Sequence, residues 1–457
     1  MKLRKIGVVL LALLLAAIAM VPMVSAGEIL PSEEIITSKY FHDVDKITEY
    51  SIQRQGSRNL NEISISEYSL VITDPKKFVK DAEQSKVVWS VKGRDYIIDL
   101  KQDTSLIAPD AKLFIKTANG TIVTDLPPIK QYRGTVLGDE KGDALFTVDN
   151  NVLLGRVSIG NDTYLIDQFG TLNDGKMVQI VYNVKNEIAS NNGLLPSGDD
   201  IYLPPVVSSK TPVNSDTEKA RTDATLASTA TSTVRILAVY DAQFHNLYPS
   251  TSSSEVTSML AAASNAFSPN YIGVNFQIAG IASDSTLTST NKDTLLTQLR
   301  DSESSIRDST SSDLVFLFTG RDLDGTYIGN SVLFSSGVQE LSAYGLAQMV
   351  SSGSYTASSY QKPILVAHEL GHNFGAMHQD LYPGTDGYPY YVPTYARAKM
   401  FLESPTGIYR YTSLYSPFQT GTLMSCEYSS PNTGHGDSTH DNARRISETK
   451  STVAGYR

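Results

Sequence analysis

His368-Glu369-Leu370-Gly371-His372-Asn373-Phe374-Gly375-Ala376-Met377-His378 is the stretch on which the reading of this 457-residue chain turns. Residues four apart share one face of a helix, so His368 and His372 can present ring nitrogens to a single tetrahedral metal, with Glu369 beside them. Gly375 can take a positive φ at little cost, which ends the helix and turns the chain so that His378 reaches the same ion as a third ligand. A fourth coordination position is left open for water. At average residue frequencies H-E-x-x-H alone arises by chance in roughly one chain in a hundred. With the Gly and the third His the figure drops to on the order of one chain in 10^5, so two solvated histidines on an ordinary helix is the weaker reading.

The residues just upstream agree. Gln361-Lys362-Pro363, then Ile364, Leu365, Val366 and Ala367, predict a buried helix entered through a proline near its first turn. Further upstream, Thr233 to Asp241 has the alternation of an opening strand, and Asp313 to Gly320 reads as a buried one. Between them, Ser253 to Ala266 and a shorter segment from Asp293 to Arg300, capped by Asp293, have helical spacing. The order strand, helix, strand, helix, strand predicts an α/β sandwich.

H-E-x-x-H-x-x-G-x-x-H followed later by a methionine turn is the signature of the metzincin metallopeptidases, and Gly421-Thr422-Leu423-Met424-Ser425 resembles that turn. Within the clan, His-Glu-Leu-Gly-His-Asn-Phe-Gly most resembles the adamalysin/reprolysin family. The resemblance implies an α/β (α+β) catalytic domain with a twisted mixed sheet and a zinc-binding helix. It also implies one catalytic Zn2+ on His368, His372 and His378, Glu369 as general base, and Met424 as the apolar floor beneath the metal. Gly325 through Phe334 is similar to the edge-strand region that takes an extended protein or peptide substrate by adding it to the sheet.

Three positions depart from the adamalysin pattern. Gln379 stands between His378 and Asp380, where adamalysins place Asp directly after the third His. The segment from Asp380 to Gly421 is long and rich in tyrosine (Tyr382, Tyr388, Tyr390, Tyr391, Tyr395) and is expected to shape one wall of the substrate pocket. Cys426 occupies the place, two residues after Met424, where some other metzincins carry tyrosine.

Residues 1–26 read as a secretory signal peptide: Lys2, Arg4 and Lys5, an apolar run from Ile6 to Met20, then Val24-Ser25-Ala26. That run is short for a membrane span of about 20 residues. Export to the extracellular space or cell envelope, with no membrane attachment after signal removal, is the expectation. The net charge is -10, and losing those three cations makes it more negative, which argues against a nucleic-acid partner. Cys426 is the single cysteine, so no intrachain disulfide exists, and a small buried hydrophobe is its favoured role.

Residues 27–188 are strand-like, with Tyr68 to Ile72, Val87 to Val91 and Tyr96 to Leu100 as clear β signals, and predict a separate β-rich domain. The strand-turn series Tyr132 to Asp139, Ala144 to Val148, Leu153 to Val157 and Tyr164 to Ile166 resembles reprolysin propeptides, which implies a zymogen whose propeptide acts as inhibitor or chaperone. Residues 189–232, with Asn191-Asn192-Gly193, Pro204-Pro205 and a Ser/Thr/Ala-rich run, have linker composition and are the expected activation region, with Lys219-Ala220-Arg221 offering basic residues. Residues 233–457 would then be the peptidase domain. The propeptide carries no cysteine to quench the metal, so latency must come from occlusion or another ligand; Gly138-Asp139 reads as a turn rather than that ligand.

His42, His245, His435 and His440 lack ligand spacing, and Asp322-Leu323-Asp324-Gly325 lacks the terminal acid of a full calcium loop, so structural Ca2+ has no support. Two rival readings stay open: a secreted zinc-containing binding or adhesion protein without turnover, and a metzincin outside the adamalysins.

Overall fold

A computed structural model describes residues 36–44, 65–91, 93–187, 201–202, 230–334, 341–350, 357–379, 392–403, 408–416 and 424–457. The signal-peptide expectation for 1–26, the Lys219-Ala220-Arg221 site, most of the tyrosine-rich segment and Gly421 to Leu423 lie outside the described residues.

The N-terminal region runs β1 (Ile36–Thr37), β2 (Phe41–Asp43), β3 (Ser69–Thr73), α1 (Pro75–Ala82), β4 (Lys86–Val91), β5 (Arg94–Gln102), β6 (Ile107–Thr117), β7 (Gly120–Asp125), β8 (Lys130–Leu137), β9 (Gly142–Val148), β10 (Leu153–Ile159), β11 (Asp162–Thr171) and β12 (Met177–Asn183). After β13 (Ile201–Tyr202) the chain continues through β14 (Ser232–Asp241), α2 (Ala242–Leu247), α3 (Ser252–Ala263), β15 (Val274–Asp284), α4 (Lys292–Ser309), β16 (Leu314–Thr319), β17 (Gly329–Val332) and β18 (Tyr344–Gln348). It ends with α5 (Lys362–Asn373), β19 (Met400–Glu403), β20 (Ile408–Tyr411) and α6 (Asn442–Val453).

One sheet has the order β1-β4-β5-β8-β9-β10-β11-β12-β3-β2, each neighbouring pair antiparallel. Period-two alternation sends its side chains into two cores. Along β9, Ala144, Phe146 and Val148 join Phe78, Trp89 and Tyr132 on one face. Leu145 joins the core of the C-terminal region on the other. β12 is covered on both faces and buried at every position; it is mostly apolar, and its buried Gln179 is satisfied by donating to Leu153 O.

The second sheet has the order β13-β17-β18-β16-β14-β15-β6-β7. β14 pairs in parallel with β15 and β16, β16 pairs in parallel with β18, and β17 is antiparallel to β18, so the mixed α/β architecture matches the expected order of elements. Two of its strands come from the N-terminal region: β6 pairs in parallel with β15 and carries β7 on its outer edge. Lys116 of β6 fixes the junction, donating to Ser302 Oγ at 2.6 Å and lying 3.8 Å from Asp284 and 3.7 Å from Glu303. Arg133 adds bonds to Ala261 O (3.0 Å) and Ser264 Oγ (2.9 Å) at the end of α3. The N-terminal region, read from sequence as a separate unit, thus shares both a sheet and a core with the C-terminal region.

Three boundaries differ from expectation. α4 runs to Ser309 rather than Arg300, and its cap is Asn291, whose side chain accepts from Thr294 N at 3.0 Å, not Asp293. Its second half is polar in sequence, but Leu299, Glu303 and Ile306 fall on one buried face at helical spacing and carry the helix through. α3 ends at Ala263, with a single 3-10 turn over Ser264–Ala266. The edge strand expected over Gly325 to Phe334 shrinks to the four residues of β17, and it is not outermost, because β13 pairs on its far side.

Candidate metal centre

Helix α5 is buried at all twelve positions and begins with Lys362-Pro363, a proline at the one place in a helix where its missing N–H costs nothing. It stops because Gly375 turns at φ +85°, and a Cβ there would lie 2.8 Å from Arg445 Nε, so the position excludes a side chain on two grounds. Ala376 N then bonds back to Gly371 O at 3.1 Å. The next residue is clamped from α6: Asn442 Oδ1 accepts from Met377 N and Asn442 Nδ2 donates to Met377 O, both at 3.0 Å. That pair sets the direction in which His378 leaves the turn.

The three predicted histidines come together. Their ligand nitrogens all lie within 4.8 Å of one another, and each residue is buried. His368 Nε2 and His378 Nε2 are 3.2 Å apart. His368 Nδ1 lies 2.6 Å from Ser413 O, and His372 Nδ1 lies 2.8 Å from Ala376 O. A carbonyl oxygen only accepts, so each Nδ1 donates to it and Nε2 is the ring nitrogen left to face a metal. Buried, converging imidazoles are a donor set that fits zinc.

Glu369 is fully buried one residue along. Strand β17 lies against it at Gly329, where a built Cβ would come within 2.5 Å of Glu369 Cδ and 2.9 Å of Cγ. The far end of that region is tied to the end of α5, since Phe334 N donates to His372 O at 3.0 Å. Asn373 Nδ2 sits among the carbonyls of Val332 (3.0 Å), Ser342 (3.1 Å) and Tyr344 (3.0 Å), joining the helix end to β17 and β18.

Beneath α5, Met424 is fully buried in the same core as the helix and forms a bridge with Tyr411. Ser413, whose carbonyl faces His368, is held by Glu427 through a 2.8 Å backbone bond and donates its hydroxyl to Ser425 O at 3.0 Å and Glu427 O at 2.9 Å. Tyr428 Oη donates to Ala367 O at 2.6 Å, directly before the first histidine of the motif. Cys426, half-buried, packs its sulfur 3.8 Å from Ala262 O, and desolvation pushes its thiol up to about 11, which favours the protonated form at neutral pH. Gln379 takes both backbone groups of Ser416, accepting from its N at 2.9 Å and donating to its O. The residue that departs from the adamalysin pattern therefore ties the segment carrying His378 to the loop carrying Ser413.

Residues 230–399 match the family model Reprolysin_5, metallo-peptidase family M12. That stretch carries the histidine cluster and is similar to metallopeptidase domains of that family. No curated protein matches the sequence. Among solved structures, the fold is similar to a chain described as "Structure of a chaperone-substrate complex", with 12% identity, a TM-score of 0.39 and coverage of 79% of this chain, which spans 43% of that one. It is also similar to metalloproteinase-II from Bacteroides fragilis, with 14% identity, a TM-score of 0.40 and coverage of 67% of this chain and 86% of that one.

The other residues singled out from sequence stay apart from the histidine cluster. His245 bonds Ser252 Oγ at 3.1 Å, His435 stacks on Phe401 and bonds Glu427, and His440 bonds Asp437. Asp322 Oδ1 accepts from Gln348 Nε2 at 3.3 Å, and Gly325 turns at φ +81°. Among the described residues, His368, His372 and His378 form the one group of three or more metal-ligating side chains. Sequence reasoning missed Gly329, Asn442 and Ser413. Gly329 was visible only as a glycine in a strand, and Ser413 acts through a backbone carbonyl that no side-chain pattern marks.

Proposed function

We propose that this chain is a secreted zinc endopeptidase of the adamalysin-like type, made as a zymogen with residues 1–26 as signal peptide, 27–188 as propeptide, 189–232 as activation region and 233–457 as the peptidase. The observation that carries the reading is the convergence of the ring nitrogens of His368, His372 and His378 beside a buried Glu369, inside a domain matched by a metallopeptidase family model. The three Nε2 atoms would hold the ion, with Ser413 O and Ala376 O fixing the rings of His368 and His372. Zinc, when bound, acidifies water and polarises a carbonyl oxygen.

Glu369 accepts a proton from the attacking water and delivers it to the leaving amine nitrogen, so one water and one peptide bond become a carboxylic acid and an amine, which then exchange a proton to give carboxylate and ammonium. Helix α5 keeps this carboxylate away from bulk solvent, and Gly329 leaves room for it beside β17.

The test is cleavage of a peptide library by the processed protein, with and without a zinc chelator, beside Glu369→Gln. Chelator-sensitive cleavage that falls by at least about 10^2-fold in the variant, with zinc content unchanged, is expected. Normal cleavage by Glu369→Gln would remove this role for Glu369, and no cleavage despite stoichiometric zinc and verified processing would put a non-catalytic zinc protein ahead.

A further inference from the structure

Strand β17 runs beside α5 from Gly329, which abuts Glu369, to the segment whose Phe334 N bonds His372 O. Its outer edge is already paired. Ile201 and Tyr202 lie parallel to it in register with Ser331 and Val332, and Leu333 N donates to Tyr202 O at 3.1 Å. The Ile201 side chain is 4% exposed and packs in a small cluster of its own with Leu333, Met377, Val392 and Ala396, flanked by Tyr395. Met377 directly precedes His378, so this recess adjoins the third ligand.

Among the described residues, Leu333, Met377, Val392 and Ala396 around Ile201 all come from the C-terminal region, and Ile201 is contributed by the segment between the two regions. An extended peptide docking on β17, in either direction, needs the same edge N–H and C=O groups that Ile201 and Tyr202 now engage. We propose that the edge of β17 and the recess lined by Leu333, Met377, Val392 and Ala396 form a substrate subsite for a branched aliphatic side chain, and that Ile201–Tyr202 fills it in the intact chain as a tethered competitor. The proposal rests on the endopeptidase reading and names both a subsite preference and the occupant that enforces latency without a cysteine.

The experiment uses the full chain, its integrity verified by mass spectrometry across the assay, as wild type, Ile201→Asp and the milder Ile201→Ala. Processed enzyme is assayed beside it against a library of peptides. Intact Ile201→Asp is expected to cleave at least 10-fold faster than the intact wild type. The peptide Asp199–Pro204 is expected to inhibit the processed enzyme competitively, its Ile201→Asp form at least 10-fold more weakly, and the library to show Ile, Val or Leu preferred at one subsite.

Hydrogen exchange at the Leu333 amide, measured in chains also carrying Glu369→Gln so that none processes itself, should speed up when Ile201 is replaced by Ala. If processed enzyme cleaves while both intact variants stay as slow as wild type, or Leu333 exchange does not rise, the subsite assignment is overturned and the peptidase reading stands. If processed, zinc-loaded protein cleaves nothing, the peptidase reading falls and the proposal falls with it.

Discussion

Replacing Gly329 with alanine tests the geometry of the site at the point where a strand and the proposed general base, Glu369, share one volume. The added Cβ would sit 2.5 Å from Glu369 Cδ and 2.9 Å from Cγ, against about 3.5–4.0 Å for carbons in normal contact. Both partners are buried, Gly329 in the paired strand β17 and Glu369 in α5, so the carboxylate must retreat by about 1 Å or the strand must lift. A misplacement of about 1 Å costs on the order of 10^2-fold in rate, equivalent to about 2.7 kcal/mol of transition-state stabilisation. Overpacking adds about 1–3 kcal/mol of lost stability. The assay separates kcat from KM on a cleaved peptide, with zinc content and thermal melting measured on the same sample. Gly329→Ala should lose kcat by about two orders of magnitude, keep its zinc and melt somewhat lower. A folded variant with kcat within about threefold of wild type would refute the claim that this glycine makes room for a working Glu369, since only a fraction of the expected loss would remain. Loss of zinc would show instead that β17 supports the ligands rather than the base.

Single contacts lead to further expected outcomes. Tyr428→Phe removes the 2.6 Å bond to Ala367 O of α5 and should lower stability by about 1 kcal/mol, read as a drop in melting temperature of a few degrees. Cys426 should resist alkylation at neutral pH until the chain unfolds, and Cys426→Ala should retain activity, because the thiol titrates near 11 and touches no ligand; rapid native-state labelling would contradict this. Burial, together with the hydrogen bond and charge of Asp284, pushes Glu303 up to about 8 against the opposing pull of Lys116. The folded chain therefore keeps a proton there that the unfolded chain releases near 4.5. That contribution is fully present below the unfolded value and is lost as pH rises toward about 8, at a slope of at most about 1.4 kcal/mol per pH unit. Glu303→Gln should flatten that dependence in urea unfolding measured at about pH 5, 6.5 and 8; an unchanged slope would mean that Glu303 does not carry it.

Much of the site could be read locally because helical spacing is a local property. An i, i+4 pair on an apolar helix with a glycine three residues on sets the direction of two imidazoles and the place where the chain must turn. The mixed sheet was readable for the same reason, since β14, α3, β15, α4 and β16 succeed one another with distinct periodicities. The cap of α4 was misread because Asn291 and Asp293 are both good capping residues, and only the φ and ψ of Asn291 with its bond to Thr294 N decide between them.

The convergence of His368, His372 and His378, the buried Glu369 beside them and the order of elements in the C-terminal half were legible in the chain itself, because each rests on residues a few positions apart. Their surroundings depend on the folded molecule. Ser413 O orients His368 across 45 positions of chain, Asn442 clamps Met377 across 65, and Gly329 meets Glu369 from another strand. Folding also takes β6 and β7 away from the N-terminal sheet to β15, and seats Ile201 in a recess built by Leu333, Met377, Val392 and Ala396. Edge pairing and recess filling are contacts between residues distant in the chain, specified by backbone groups and packed volume that have no periodic signature.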